Sequence, residues 1–256
     1  MADALYLYAI TRQASSTELA DTAGLDGAPL AVVDHRGLAA VVSPVSLTEY
    51  DEAGLRRNLE DLTWLEEVAR GHDAVVKAVA ALGPTAPLRL ATICLDERGV
   101  RERLDESHEA LERALDRVTG RGEWSAKAFA APEQVAPAAG APAPADGSGA
   151  GAAYLQRKKA QSVRRQSSEE AALELAEAVH TALASLSAAS RRLRPQDPRL
   201  TGHEGTMTLN GAYLVDDALG AAFAAEADRL ARQHPDARIE VHGPWPPYSF
   251  ATLEDG

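Results

Sequence analysis

Leu5-Tyr6-Leu7-Tyr8-Ala9-Ile10 is apolar at odd and even positions alike. Side chains alternate between the two faces of a strand, so this run offers apolar groups to both. It predicts a strand buried on both faces of a sheet, which in turn requires covering layers. Ala31-Val32-Val33 and Leu38-Ala39-Ala40-Val41-Val42 flank His35-Arg36-Gly37. Two apolar runs around a short glycine-containing connection predict a β-hairpin. Between the first strand and the hairpin, Ser15-Ser16-Thr17-Glu18 has the spacing of a capping box and predicts a short helix.

Helical periodicity takes over after the hairpin. Leu55, Leu59, Leu62, Leu65, Ala69, His72, Val76 and Val79 recur at steps of three and four, the apolar stripe of one amphipathic helix. Gly71 is the expected kink and Gly83-Pro84 the stop. Pro87 to Leu95 predicts a strand. Asp96 is the expected N-cap of a helix carrying Val100, Leu104, Leu111, Leu115 and Val118, and Glu123 to Ala130 predicts another strand.

Residues 132–150 consist mainly of Pro, Ala and Gly. They cannot bury enough apolar surface to offset their ordering entropy, so a flexible linker is expected. From Ala152 a helical pattern runs to about Arg192, with Leu175, Val179, Ala182, Leu186, Ala189 and Leu193 forming a heptad-like seam. Strands are predicted over Thr206–Val215 and Ala237–His242. Between them Asp216 or Asp217 would cap a helix carrying Leu219, Phe223, Leu230 and His234. The three prolines of Gly243-Pro244-Trp245-Pro246-Pro247-Tyr248-Ser249-Phe250 remove backbone donors. That segment is expected to leave the sheet on an extended path, with Trp245 inward and Tyr248 or Phe250 outward.

Few strands separated by helices imply an α+β fold. The expectation is two small domains, 1–120 and 121–256. Each would be a mostly antiparallel sheet with helices packed on it, and the second would hold the long helix.

The formal net charge of −12 argues against a nucleic-acid or anionic-membrane partner. A single cysteine, Cys94, excludes an internal disulfide, and no window reaches the ~20 apolar residues of a membrane-spanning helix. With no signal-peptide pattern at Met1–Ile10, a cytoplasmic protein is expected. Candidate chemistry is sparse. Asp34-His35 could form a general-base pair, but a polar hairpin tip accounts for both. His72 falls on an apolar stripe, as a satisfied core histidine would. His203-Glu204 lacks a second metal ligand. Cys94 lies among apolar neighbours. The basic run Arg157-Lys158-Lys159 with Arg164-Arg165 lacks the aromatic ladder of a single-strand binder and fits a solvated helix face. No phosphate-binding glycine motif or nucleophile elbow is present, so no catalytic residue, cofactor or metal is expected.

Several segments taken in order resemble one family. They are LYLYAI at 5–10, LAAVVSPV at 38–45, WLEEVARGHDAVV at 64–76 leading into PLRLATIC at 87–94, EWSAKAF at 123–129, GAAYLQRKK at 151–159, LNGAYLV at 209–215 and GPWPPYSF at 243–250. The chain is similar along nearly its whole length to the GvpL/GvpF gas vesicle proteins. The resemblance implies two α+β domains, no catalytic residues, and a role as minor component or assembly factor beside the small hydrophobic shell protein and other accessory proteins. The residues expected to meet such a partner are Trp245, Tyr248 and Phe250 in the terminal segment, and Leu186 and Leu193 on the helical seam. The alternative from another class is a two-domain ligand-binding regulatory module, which would need convergent polar groups in a deep pocket.

Overall fold

The computed structural model describes residues 3–130, 150–195, 206–235 and 237–251. The expected linker, apart from Ala150, and His203-Glu204 lie outside the described residues. The chain forms two compact units, Met1–Glu123 with Gly243–Gly256, and Trp124–His242.

In the first unit the opening run is β1 (Asp3–Thr11), where Tyr6 through Ile10 are all buried. It pairs antiparallel with β3 (Leu38–Ser46), and a bulge falls between Leu7 and Ala9. β2 (Ala31–His35) pairs with β3 as the expected hairpin, His35 opposite Leu38. Arg36 and Gly37 connect them with φ of 49° and 82°. Two successive left-handed residues make the tight turn whose twist suits a hairpin, and glycine takes the second position without a Cβ penalty. The Ser15/Glu18 capping box forms its reciprocal hydrogen bonds, but it closes turns rather than a helix.

A single turn, α1 (Leu47–Tyr50), comes first, and the long helical stripe is then two helices, α2 (Glu52–Asn58) and α3 (Leu62–Leu82). The division falls at Asp61, whose carboxylate accepts from the backbone N–H groups of Thr63 and Trp64 and caps α3. Gly71 does not kink α3. A Cβ there would lie 2.8 Å from Leu25 Cδ2, so glycine allows a close approach. The expected strand at 87–95 is interrupted. It becomes β4 (Thr85–Pro87) and β5 (Ile93–Cys94), separated by turns in which Ala91 has φ of 59°. Both pair with β1, giving the order β2-β3-β1-β4 with β5 also on β1. Asp96 caps α4 (Glu97–Glu106) through Gly99 N–H at 2.8 Å, and α5 (His108–Val118) follows. Val100, Leu104, Leu111, Leu115 and Val118 are all buried, but the single helix expected to carry them is divided in two at Ser107.

The second unit is built on a four-stranded sheet ordered β7-β8-β6-β9. Its strands are β6 (Arg121–Phe129), β7 (Ala189–Arg192), β8 (Met207–Asp216) and β9 (Arg238–Trp245). Helices α6 (Ala150–Ala184) and α7 (Gly220–Gln233) pack on one another, and α6 packs on β8. The expected aspartate cap of α7 is absent: its N-cap is Leu219, and no side chain caps it. Helix α6 also ends earlier than its seam suggests. Ser185 and Ser187 hydroxyls donate to the carbonyls of Ala182 and Leu183, and Ala189–Arg192 pairs with β8 instead. Ala176, Val179 and Leu183 carry the buried part of α6, together with Tyr213, Phe223 and Leu230.

The terminal segment departs most from expectation. β9 continues through Pro244 to Trp245, and Tyr248–Ala251 forms a last helical turn, α8. Proline is tolerated because β9 lies at a sheet edge. The residues after Gly243 belong to the first unit rather than the second, so the sequence division at 120/121 misplaces them.

Candidate functional site

The terminal segment is fixed within the first unit by a carboxylate. Glu123 accepts from Ser249 N–H at 2.7 Å and Ser249 Oγ–H at 2.6 Å. Gly122 leaves room for Pro244: a Cβ on it would stand 2.6 Å from Pro244 Cβ. Phe250 is only 2% exposed and α8 packs on α5. Tyr248 is partly buried against the core, its ring 6.4 Å from His72, and its hydroxyl donates to Asp73 Oδ1 at 3.3 Å. Burial, reinforced by the Asp73 charge, pushes the Tyr248 phenol well above its ordinary range. Trp245 is 43% exposed, and Lys77 Nζ lies 5.2 Å from its ring centroid while also pairing with Asp73 at 2.6 Å. The expected assignment is therefore reversed. Phe250 is the inward ring and Trp245 the outward one, because Trp245 still occupies an edge strand whereas Phe250 lies on α8 facing the core.

Beneath Tyr248 lies an aromatic cluster that sequence reading did not assemble. Tyr6 and Tyr8 share one face of β1 with centroids 4.8 Å apart, and Tyr50, Trp64 and His72 close around them. Ala91 N–H donates to Tyr6 Oη at 3.1 Å, and Tyr6 Oη lies 3.0 Å from His72 Nδ1. A phenol that already accepts from a backbone amide gives its own proton to the imidazole. We therefore assign His72 as the neutral Nε2–H tautomer. Its Nε2 is buried without a well-formed hydrogen bond. Burial lowers the His72 pKa to about 4, partly opposed by the Leu88 backbone. Tyr8 Oη accepts from Leu25 N–H at 2.8 Å and shares a 2.7 Å hydrogen bond with Ser43 Oγ. These are core hydrogen bonds: His72 is a core histidine as expected, but it is satisfied at Nδ1 and not at Nε2. The second unit repeats the motif: Tyr213 Oη lies 2.9 Å from His180 Nδ1, and burial pushes the Tyr213 phenol up to about 12.

The remaining candidates are dispersed. His35 pairs with Asp105 of α4 at 2.8 Å, not with Asp34, and Arg36 bonds the same carboxylate at 3.0 Å. The hairpin tip is thus tethered to α4 through the Asp105 carboxylate. Cys94 is half-buried and its thiol pKa is raised, first by burial. Leu186 sits in the turn after α6, partly buried against the second core, and Leu193 is exposed just beyond β7. Among the described residues no group of three or more His, Cys, Asp or Glu could hold a metal, and no helix is long and apolar enough to cross a membrane. An open groove of about 580 Å³ runs between α7 and β9, lined by Trp124, Ala227, Asp228, Arg238, Glu240 and His242. Its charged groups line an open surface and do not converge in an enclosed pocket.

Comparison with known proteins resolves what the geometry leaves general. The family model for "Gas vesicle synthesis protein GvpL/GvpF" matches residues 4–252. The chain belongs to the GvpL/GvpF family. Gas vesicle protein L of Streptomyces sp. (strain CB03234) is 39% identical over 250 residues, covering 98% of this chain and 93% of that protein. Gas vesicle protein F2 of Halobacterium salinarum is 36% identical over 50 residues, 20% of this chain. The crystal structure of GvpF from Anabaena sp. PCC7120 shares the fold, with a TM-score of 0.68 at 19% identity, covering 98% of this chain and 97% of that one. GvpF from Microcystis aeruginosa superposes with a TM-score of 0.66, also at 19% identity, over 98% and 99% of the two chains. The α+β architecture expected of a GvpL/GvpF protein is the one observed.

Proposed function

We propose that this GvpL/GvpF protein is a non-catalytic accessory factor of gas vesicle assembly that works in the cytoplasm and binds the hydrophobic shell protein. The observation that carries the reading, beside family membership, is the mounting of Trp245. It is an exposed indole at the end of an edge strand, held between Pro244 and Pro246 and backed by Lys77. A rigid aromatic loses little conformational entropy on binding, so it suits an apolar partner. Tyr248 beside it offers a partly covered ring, and Leu193 in the second unit offers a second exposed apolar contact. Phe250 has no part in binding, since the core encloses it.

The test is Trp245→Ala in the native host, with co-precipitation of the shell protein and electron microscopy for vesicles. Loss of both, with an unchanged thermal melt, supports the reading. Normal vesicles and normal capture from the variant would remove Trp245 as the anchor. Normal vesicles after deletion of the whole gene would remove the assembly role.

A further inference from the structure

Helix α6 is longer than its core requires. Its buried residues begin at Ala176, whereas every described side chain from Tyr154 to Ala171 is exposed. Among its described residues the preceding arm thus buries no side chain that would hold it helical. An isolated helical segment of this size is marginal in water, and one that is polar all round needs bridging partners to persist. Tyr154 is 59% and Leu155 65% exposed, and Lys158 and Lys159 are exposed one turn further on.

The charge of this arm is anomalous. Between Ala150 and Ser168 stand Arg157, Lys158, Lys159, Arg164 and Arg165, with no acid. Removing those five charges from a formal −12 leaves −17 on the rest of the chain. Two such arms repel one another, and a polyanion such as nucleic acid is repelled by the body that carries the arm. The body of another copy is attractive.

One surface matches the arm in both polarity and charge. At the elbow between α2 and α3, Leu59 is 52% and Leu62 78% exposed. Glu60, Asp61, Glu66 and Glu67 lie within five residues of Leu62 in the chain, all exposed, with Glu66 paired to Arg70. An apolar pair flanked in sequence by acids faces an apolar pair followed by lysines, which is the complementarity that fixes register in charged interfaces. We propose that the basic arm of α6 docks on the α2–α3 elbow of a second copy of this chain. The association is independent of shell-protein binding.

The test is light scattering and sedimentation of nuclease-treated protein across a concentration series. At low salt the mass should rise toward twice 27.1 kDa, and it should return to 27.1 kDa at about 1 M salt, where the screening length is about 3 Å. Lys158→Glu with Lys159→Glu should weaken association by at least about tenfold. Glu60→Lys with Glu67→Lys should do the same from the other side. Circular dichroism should show both variants folded, since all four side chains are exposed. Mixing the two variants should restore the pair, because each reversed arm then meets a reversed elbow. Three results would each overturn the proposal: wild type staying at 27.1 kDa throughout, association indifferent to the arm variant, or mixed variants remaining separate.

Discussion

His72 makes the first unit acid-sensitive by an amount that can be worked out. Its ordinary pKa of 6.5 falls to about 4 in the folded protein. Above 6.5 the ring is neutral in both states, and pH leaves its contribution unchanged. Between 6.5 and about 4 the unfolded chain binds a proton that the fold refuses, so stability declines by about 1.4 kcal/mol per pH unit. Below that window both states bind it and the decline stops. The loss is roughly 2 kcal/mol at pH 5 and about 3 kcal/mol in full, a large share of a typical domain's stability. Urea unfolding followed by tryptophan fluorescence measures it, since Trp64 lies 5.6 Å from Tyr50 in the same cluster. The comparison is His72→Gln, which removes the titration while other acid-sensitive groups cancel. The stability gap between wild type and variant should change by about 2 kcal/mol from pH 8 to pH 5, in favour of the variant. Parallel pH profiles for the two proteins would refute the depressed pKa.

Two further contrasts follow from burial. Phe250→Ala should cost about 3–5 kcal/mol, whereas Trp245→Ala should cost about 1 kcal/mol, chiefly its contact with Lys77; equal losses in thermal melts would contradict the inward and outward assignment. Leu183→Ala, at a fully buried position on α6, should lose about 2–5 kcal/mol and Leu186→Ala about half as much; a larger loss at Leu186 in chemical unfolding would put the seam's packing centre in the wrong place.

Elements whose evidence is local were legible in the sequence. The two-faced run at 5–10, the hairpin around Arg36-Gly37, the Asp96 cap and the buried stripe from Val100 to Val118 each depend on neighbours within a few residues, and each is in the structure. What failed depended on distant partners. Leu59 and Leu62 continue a helical period yet point into solvent, because Asp61 stops one helix and starts the next. Ala189 and Leu193 fit a heptad, but β8 offers Ala189–Arg192 a pairing edge that periodicity cannot register. In the candidate site, the cluster of Tyr6, Tyr50, His72 and Tyr248 draws on four separate elements, so no spacing could announce it. Trp245 and Phe250 were found as residues and misassigned in direction, since a proline run does not reveal which sheet edge will hold it. The family itself was legible from the order of the segments and from nothing in the composition.

The chain leaves the first unit within β6 and re-enters it within β9, so the first unit is written in two instalments. A ribosome working at about 5–20 residues per second spends roughly 6–25 seconds on the span between Glu123 and Gly243. For that interval β1, α3 and α5 have emerged without Phe250 and Tyr248, while all of Trp124–His242 becomes available first. A nascent chain cut off before Gly243 leaves the aromatic cluster open, with Glu123 deprived of Ser249. Translation therefore delays closure of the first unit until Tyr248 and Phe250 have been made, and termination before them leaves its apolar interior exposed.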